Sequence, residues 1–275
     1  WVSTIMSIMT DLLTYSFYSN AVLAALLSAV ICGMMGTYIV TKRIVFISGG
    51  ITHASFGGIG IGYYLGINPI LGAAVFAVLS ALGIEFSSRK TDIREDSAIA
   101  ILWALGMAVG VIFVFITPGY APNLLSYLFG NILTVDSTDL YLLLGLAIII
   151  LAVFTMQYKN ILYIAFDEEY ARARQLPVDM IKYLMISLIA LAIVFNIRVV
   201  GIILVISLLT IPQTIANMFV KKFSGIMVLS VLIALLGTLS GLTLSYLFNI
   251  PSGAAIIFFL VILFFLARIL KLIVK

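Results

Sequence analysis

Nine uninterrupted apolar runs, each close to twenty residues long, dominate the chain: 20–40, 46–66, 68–86, 96–117, 138–157, 179–196, 199–218, 224–247 and 252–271. A helix needs about 20 residues to cross a hydrocarbon core about 30 Å thick, whereas a barrel strand crosses in about ten residues of alternating polarity. Run length therefore selects an all-α, polytopic membrane protein over a porin-like barrel. Composition agrees, since 64% of the 275 residues are hydrophobic and only 9% are charged. Soluble domains carry about 25% charged residues, and a chain of this size cannot hide so much apolar surface from water.

Turn formers such as Asn68-Pro69, Pro118-Gly119 and Pro251-Ser252-Gly253 separate several runs. The stretch 120–135 is too short and too polar at its ends for a full crossing and is predicted to be an external connection or a half-helix. Residues 1–19 mix aromatic and polar side chains and are expected to form an extracytoplasmic, interfacial segment ahead of a single membrane domain over 20–275. The first and seventh runs are the least regular, so eight or nine spans are expected.

Charge placement orients these spans. With alternate loops assigned inside, 14 of the 15 Lys and Arg residues fall on one side and only Arg198 on the other. Positive residues mark the cytoplasmic side, so the N-terminus is expected outside and the C-terminus inside. The formal net charge of +4 is thus a topology signal rather than a sign of nucleic-acid binding.

One cytoplasmic stretch stands apart. Residues 159–182 carry eight charged side chains, too many to enter lipid and too long a stretch for a minimal turn. Asp167, Glu168 and Glu169 open a short predicted helix, where carboxylates complement the positive helix end. Tyr170, Arg172, Arg174, Gln175 and Leu176 follow, and Pro177 stops it. The segment is either a solvated amphipathic loop or a docking helix for a cytoplasmic partner, and its isolation among short loops favours docking.

An internal repeat is hinted at. Lys42-Arg43 precedes a return to Tyr64-Leu65-Gly66-Ile67-Asn68-Pro69, and Lys221-Lys222 precedes a return to Tyr246-Leu247-Phe248-Asn249-Ile250-Pro251. Equal orientation of the two units is what parallel repeats in transporters show.

Soluble-enzyme chemistry is absent. No G-x-x-x-x-G-K-[ST] motif occurs, and a lone histidine excludes H-E-x-x-H and histidine-clustered metal sites. No Asp or Glu lies well inside a predicted span, although Glu85 approaches an inner end; proton-driven transporters normally use such acids. Cys32 and the ten scattered Met are expected to be packing residues.

His53 is the residue to explain. It lies ten residues after Arg43, about 15 Å along a helix and hence near mid-membrane. It stands among the small residues of Ser48-Gly49-Gly50-Ile51-Thr52-His53-Ala54-Ser55-Phe56-Gly57-Gly58. Such a histidine either bonds across a helix interface or offers a neutral imidazole to a borderline-soft cation such as Zn²⁺, Mn²⁺ or Fe²⁺. A second polar spot contains Ser207, Thr210, Pro212, Gln213 and Thr214. Pro212 should kink or break its span, with the hydroxyls of Ser207 and Thr210 either satisfying freed carbonyls or lining a pathway.

Several stretches together match one family. Gly50-Ile51-Thr52-His53-Ala54-Ser55, Tyr127-Leu128-Phe129-Gly130-Asn131-Ile132-Leu133, the run Val200 to Pro212 and Pro251-Ser252-Gly253 occur in the family's order and spacing from about residue 20 to 270. The chain resembles the permease subunit of bacterial and archaeal ABC importers for zinc, manganese and iron, the ABC-3 family. The resemblance implies a vitamin B12 importer-like (type II) permease fold in the cell membrane, and a homodimer with its pathway at the dimer interface. It further implies a separate cytoplasmic ATPase dimer docked on the helix around Asp167 to Leu176, and an extracytoplasmic metal-binding protein that delivers the ion. The ion would pass transiently by His53, helped by hydroxyls such as Ser48 and Thr52 or by backbone carbonyls, with no tightly bound cofactor. Many members carry an Asp four residues before that histidine; Gly49 stands there in this chain. The alternatives are a permease for an iron-siderophore or vitamin chelate, and a stand-alone secondary transporter or channel.

Overall fold

A computed structural model describes residues 16–90, 94–118, 130 and 132–273. Among these the chain is helical, with no strand, and nine spans are long and apolar enough to cross a membrane. Helices α1 (Ser16–Lys42), α2 (Val45–Leu65), α3 (Pro69–Lys90), α4 (Glu95–Ile116) and α5 (Ser137–Phe166) come first. A short helix α6 (Glu168–Ala173) then leads into α7 (Val178–Val200). The next span is built in two pieces, α8 (Ile202–Leu208) and α9 (Ile211–Phe219), before α10 (Phe223–Phe248) and α11 (Ser252–Ile273).

The spans coincide with the nine predicted runs, with two differences in reach. The 30 residues of α5 extend about 45 Å, more than a hydrocarbon core is thick, so its last turns stand outside the apolar slab. Residues 159–166 are therefore helix rather than loop, after a kink at Gln157 where φ is −111°. Of the predicted surface segment 1–19, only 16–19 fall among the described residues, as the first turn of α1. Of 120–135, the described part is Gly130 and a 3₁₀ turn over Ile132–Thr134.

Helix ends follow from local chemistry. Four of them close with a left-handed residue and a backbone bond reaching five residues back: Arg43 (φ 63°), Gly66 (φ 67°), Gln175 (φ 58°) and Asn249 (φ 52°). This C-terminal motif ties down carbonyls that would otherwise lack donors. Asn68 accepts the Ile70 N–H at 2.9 Å, and Pro69 opens α3 with the φ a helix start requires. Asp136 and Asp139 form a reciprocal capping box at the start of α5.

The centre of the bundle is α2, packed between α3 and α4. Its glycines allow backbone to meet backbone: a Cβ at Gly60 would stand 2.5 Å from the Gly110 carbonyl oxygen, and one at Gly110 2.6 Å from that of Phe56. A Cβ at Gly58 would collide with the Gly72 carbonyl. In lipid, where apolar side chains gain nothing by avoiding tails, such close approach is what holds helices together. By contrast, most of α4 and α11 faces outward, clothed in Ile, Leu and Phe.

Candidate functional site

Helix α2 sets His53 eight residues from its first residue, about 12 Å along a span of about 30 Å. The imidazole stacks on the Trp103 indole of α4, with ring centroids 4.2 Å apart and planes 4° from parallel. Its Nδ1 is buried without a hydrogen-bond partner among the described residues. The histidine is half-buried, and Trp103 stacked on it is exposed, so the protomer leaves this face open. One turn back on the same face lies Gly49, where an added Cβ would meet nothing within 4 Å.

Ser48 and Thr52 share the helix but not that face. Both are fully buried, and their hydroxyls donate to backbone carbonyls of α2, Ser48 to Val45 and Thr52 to Ser48. Ser207 and Thr210 likewise donate to carbonyls one turn back, at 3.0 Å to Ile203 and 2.7 Å to Ile206. The span breaks at Leu209–Thr210, immediately ahead of Pro212, which sits in the first turn of α9 where its missing N–H costs nothing. Gln213 stabilises the break: fully buried, it donates to the Cys32 carbonyl of α1 at 2.8 Å and to the Leu208 carbonyl at 3.0 Å.

The end of the bundle where α1, α3 and α5 finish carries a charge network. Asp167 caps α6 by accepting the Tyr170 N–H at 2.9 Å, and Ala171 pins the helix to the bundle as a fully buried residue. Glu168 points inward: its carboxylate lies 2.9 Å from Lys42 Nζ, 3.0 Å from Arg172 and 3.1 Å from Lys182 Nζ. Lys182 Nζ also lies 2.9 Å from Glu85 of α3, and Arg172 2.7 Å from Asp179 of α7. Lys42 further donates to the Ile164 carbonyl of α5 at 3.1 Å. Burial acts to raise the Glu168 carboxyl, but hydrogen bonds from Lys42 and Arg172 and the nearby Lys182 charge outweigh it and hold it down at about 2.

The rest of α6 faces outward. Glu169 and Tyr170 are exposed, as are Asp167, Arg172, Arg174 and Gln175, and Leu176 is half-buried. Arg174 stands over the Tyr163 and Tyr170 rings at 5.5 and 5.7 Å.

At the opposite end, Arg198 of α7 bridges Asp136 at 3.2 Å and Asp139 at 2.9 Å. The Asp139 N–H, donating to Asp136 at 2.9 Å, is the main reason that the Asp136 carboxyl sits below its usual range, with the Arg198 charge adding to it. Here Gly130 (φ 59°) presses its backbone on Gly201 (φ 83°), leaving no room for a Cβ.

Trp103, Glu85, Lys182, Asp136 and Asp139 all enter these clusters without having been singled out as site residues from sequence. For Glu85 a signal existed, because a carboxylate at a span end demands a cation.

A family model described as the ABC 3 transport family matches residues 14–271. The chain is 43% identical over 254 residues to the uncharacterized membrane protein slr2045 of Synechocystis, covering 92% of this chain and 90% of that one. It is 33% identical over 257 residues to the manganese transport system membrane protein MntC of Halalkalibacterium halodurans, covering 94% and 88%. Among solved structures, PsaBC from Streptococcus pneumoniae in complex with Fab superposes with a TM-score of 0.85 at 28% identity, covering 95% of each chain. Nine spans with a broken seventh, the open histidine face of α2 and a match running through the whole membrane domain lead to one assignment: the chain belongs to the ABC 3 transport family.

Proposed function

We propose that the chain is the membrane subunit of an ATP-driven importer that carries Mn²⁺, or its neighbours Zn²⁺ and Fe²⁺, into the cytoplasm. The observation that carries this reading is His53, an ionisable ring near mid-span on a face its own protomer leaves uncovered. An imidazole presented to lipid is costly, so that face calls for a polar pathway and a covering partner. A second copy packed there provides both, bringing two His53 side chains to one axis. Neutral imidazole suits first-row metals, and a site of few ligands holds an ion loosely enough to release it. Helices α2 and α4 fix the ring by stacking, so binding requires little reordering. Manganese leads because relatives such as MntC carry that metal in their name.

The basic end faces the cytoplasm, as the distribution of Lys and Arg requires. There the outward side of α6, with Asp167, Glu169, Tyr170, Arg174 and Gln175, receives a separate ATPase dimer, and Arg172 and Leu176 border the contact. A metal-binding protein delivers the ion to the Arg198 end. The chain itself performs no ATP chemistry.

Uptake into proteoliposomes holding the chain and its ATPase, with the binding protein supplied outside, tests the reading. ATP-dependent accumulation of Mn²⁺ that His53→Ala reduces about ten-fold or more is expected, with the ATPase still bound. Metal flux without ATP overturns the ATP-driven mechanism. Hydrolysis without uptake of any free ion shifts the cargo to a metal chelate.

A further inference from the structure

The charge network at the basic end does more than hold α6. Asp167 caps this six-residue helix and the buried Ala171 anchors it, in addition to its ion pairs. Glu168 collects three cations, and Lys182 reaches past it to Glu85. The four charges Lys42, Glu85, Glu168 and Lys182 come from four helices, α1, α3, α6 and α7. They are largely screened from water by the helices that carry them, with exposures from 10% at Glu85 to 27% at Glu168. Such shielded pairs act at a lower effective dielectric than surface pairs.

The cluster also borders a polar cavity of about 60 Å³, room for a water or two, lined among others by Tyr38, Lys42, Glu85, Glu95 and Lys182. An ammonium beside such a space can change partners without repacking an apolar core. Glu95 opens α4, the helix whose Trp103 stacks on His53.

We infer that Lys182 is a positioning residue that transmits displacement of α6 to the membrane helices, with Glu168 on its docking side and Glu85 on its membrane side. This rests on the reading of α6 as the ATPase-docking helix. When the ATPase shifts α6, Glu168 moves with it. Lys182 must then follow Glu168 or stay with Glu85, and either choice changes the forces on α3 and α7. Conversion of nucleotide-driven motion into opening of the pathway therefore depends on the Lys182 charge, whereas docking depends on the outward residues.

The test uses the assembled transporter in proteoliposomes, measuring ATPase capture, ATP hydrolysis and Mn²⁺ uptake for the same preparations. Lys182→Met is expected to keep capture and hydrolysis within about two-fold of the parent while uptake per ATP falls about ten-fold, a usual size for coupling between sites. Lys182→Arg, which keeps the charge, should recover most of the loss. Unchanged uptake per ATP in Lys182→Met overturns the inference. So does a parallel fall of capture, hydrolysis and uptake, which marks a purely structural residue. Should Lys182→Met not assemble, the paired variant Glu85→Gln with Lys182→Gln removes the charges together, and normal uptake per ATP in that variant also overturns it. The docking reading fails separately, when Glu169→Lys and Tyr170→Ala leave capture intact.

Discussion

The two ends of the bundle both hold α7 with ion pairs, but they are built differently. At one end Arg198 joins two carboxylates of a single neighbour, the first turn of α5, with Asp136 52% and Arg198 37% exposed. At the other end Lys182 joins carboxylates from two different elements, with its own side chain 15% and Glu85 10% exposed. The first arrangement is a clip between two helices that water and salt reach at Asp136 but not at Asp139, which is only 5% exposed. The second is a branched junction that neither reaches easily. Charge pairs of equal length thus differ in consequence: a clip fixes one distance, while a junction makes four elements answer to one another.

Breaking the junction should cost the most. Removing one member of a shielded pair leaves the other charge uncompensated, so Lys182→Met is expected to destabilise the bundle by about 3 kcal/mol or more. Thermal unfolding in detergent, followed by tryptophan fluorescence, would register it as a clearly lowered midpoint, and raised salt should change that difference little.

Acid should open the same junction next. Folding lowers the Glu168 carboxyl from its ordinary 4.5 to about 2, so its contribution is complete above pH 4.5 and disappears as pH falls through about 2. Allowing for partial exposure, the amount is about 2 kcal/mol. Midpoints recorded between pH 6 and 3 should fall more steeply for the parent than for Glu168→Gln; equal slopes would mean that another carboxylate controls acid sensitivity.

At the clip end, backbone geometry outweighs charge. Gly130→Ala must place a Cβ against the Gly201 backbone from a left-handed conformation, and a loss of about 2 kcal/mol is expected from strain and displacement. Gly145→Ala, in open space on α5, is the control that should be neutral within about 0.5 kcal/mol. Asp136→Asn, which keeps the helix cap and breaks only the exposed arm of the clip, should be the mildest of the disruptive changes, about 1 kcal/mol or less, and the effect should shrink in high salt. A larger, salt-independent loss would make the two ends alike after all.

Most of the architecture was legible because its cause is local. Span length follows from bilayer thickness, and α6 from Asp167 at its start and Pro177 beyond its end. The position of His53 on α2 followed from counting residues. Partnerships across the bundle were not legible. Lys42 and Glu168 are 126 positions apart and Arg198 and Asp136 are 62 apart, and no periodicity links such residues. Lys42, Lys182 and Arg198 were assigned only to a side of the membrane, because the bias that orients spans says nothing of which carboxylate each cation meets. The small residues around His53 stood out in the sequence, yet the neighbours they meet, α3 and α4, emerge only from the fold. Hydroxyls are read less directly: Ser48, Thr52, Ser207 and Thr210 each donate to a carbonyl of their own helix, which satisfies the donor and leaves only the oxygen lone pairs for any other role.

The glycine contacts of α2 divide the molecule mechanically. Where Gly58 meets Gly72 and Gly60 meets Gly110, backbone bears on backbone, and no flexible side chain lies between to absorb sliding. Helices α2, α3 and α4 therefore form one closely packed block, which carries His53 and its indole on its open face. Compliance is left to the run from α7 to α9, interrupted at Gly201 and again at Leu209–Thr210. One long helix and two short ones thus lie beside a wall without breaks, so the places where this backbone changes direction are set by where its helices are interrupted rather than by how tightly they are packed.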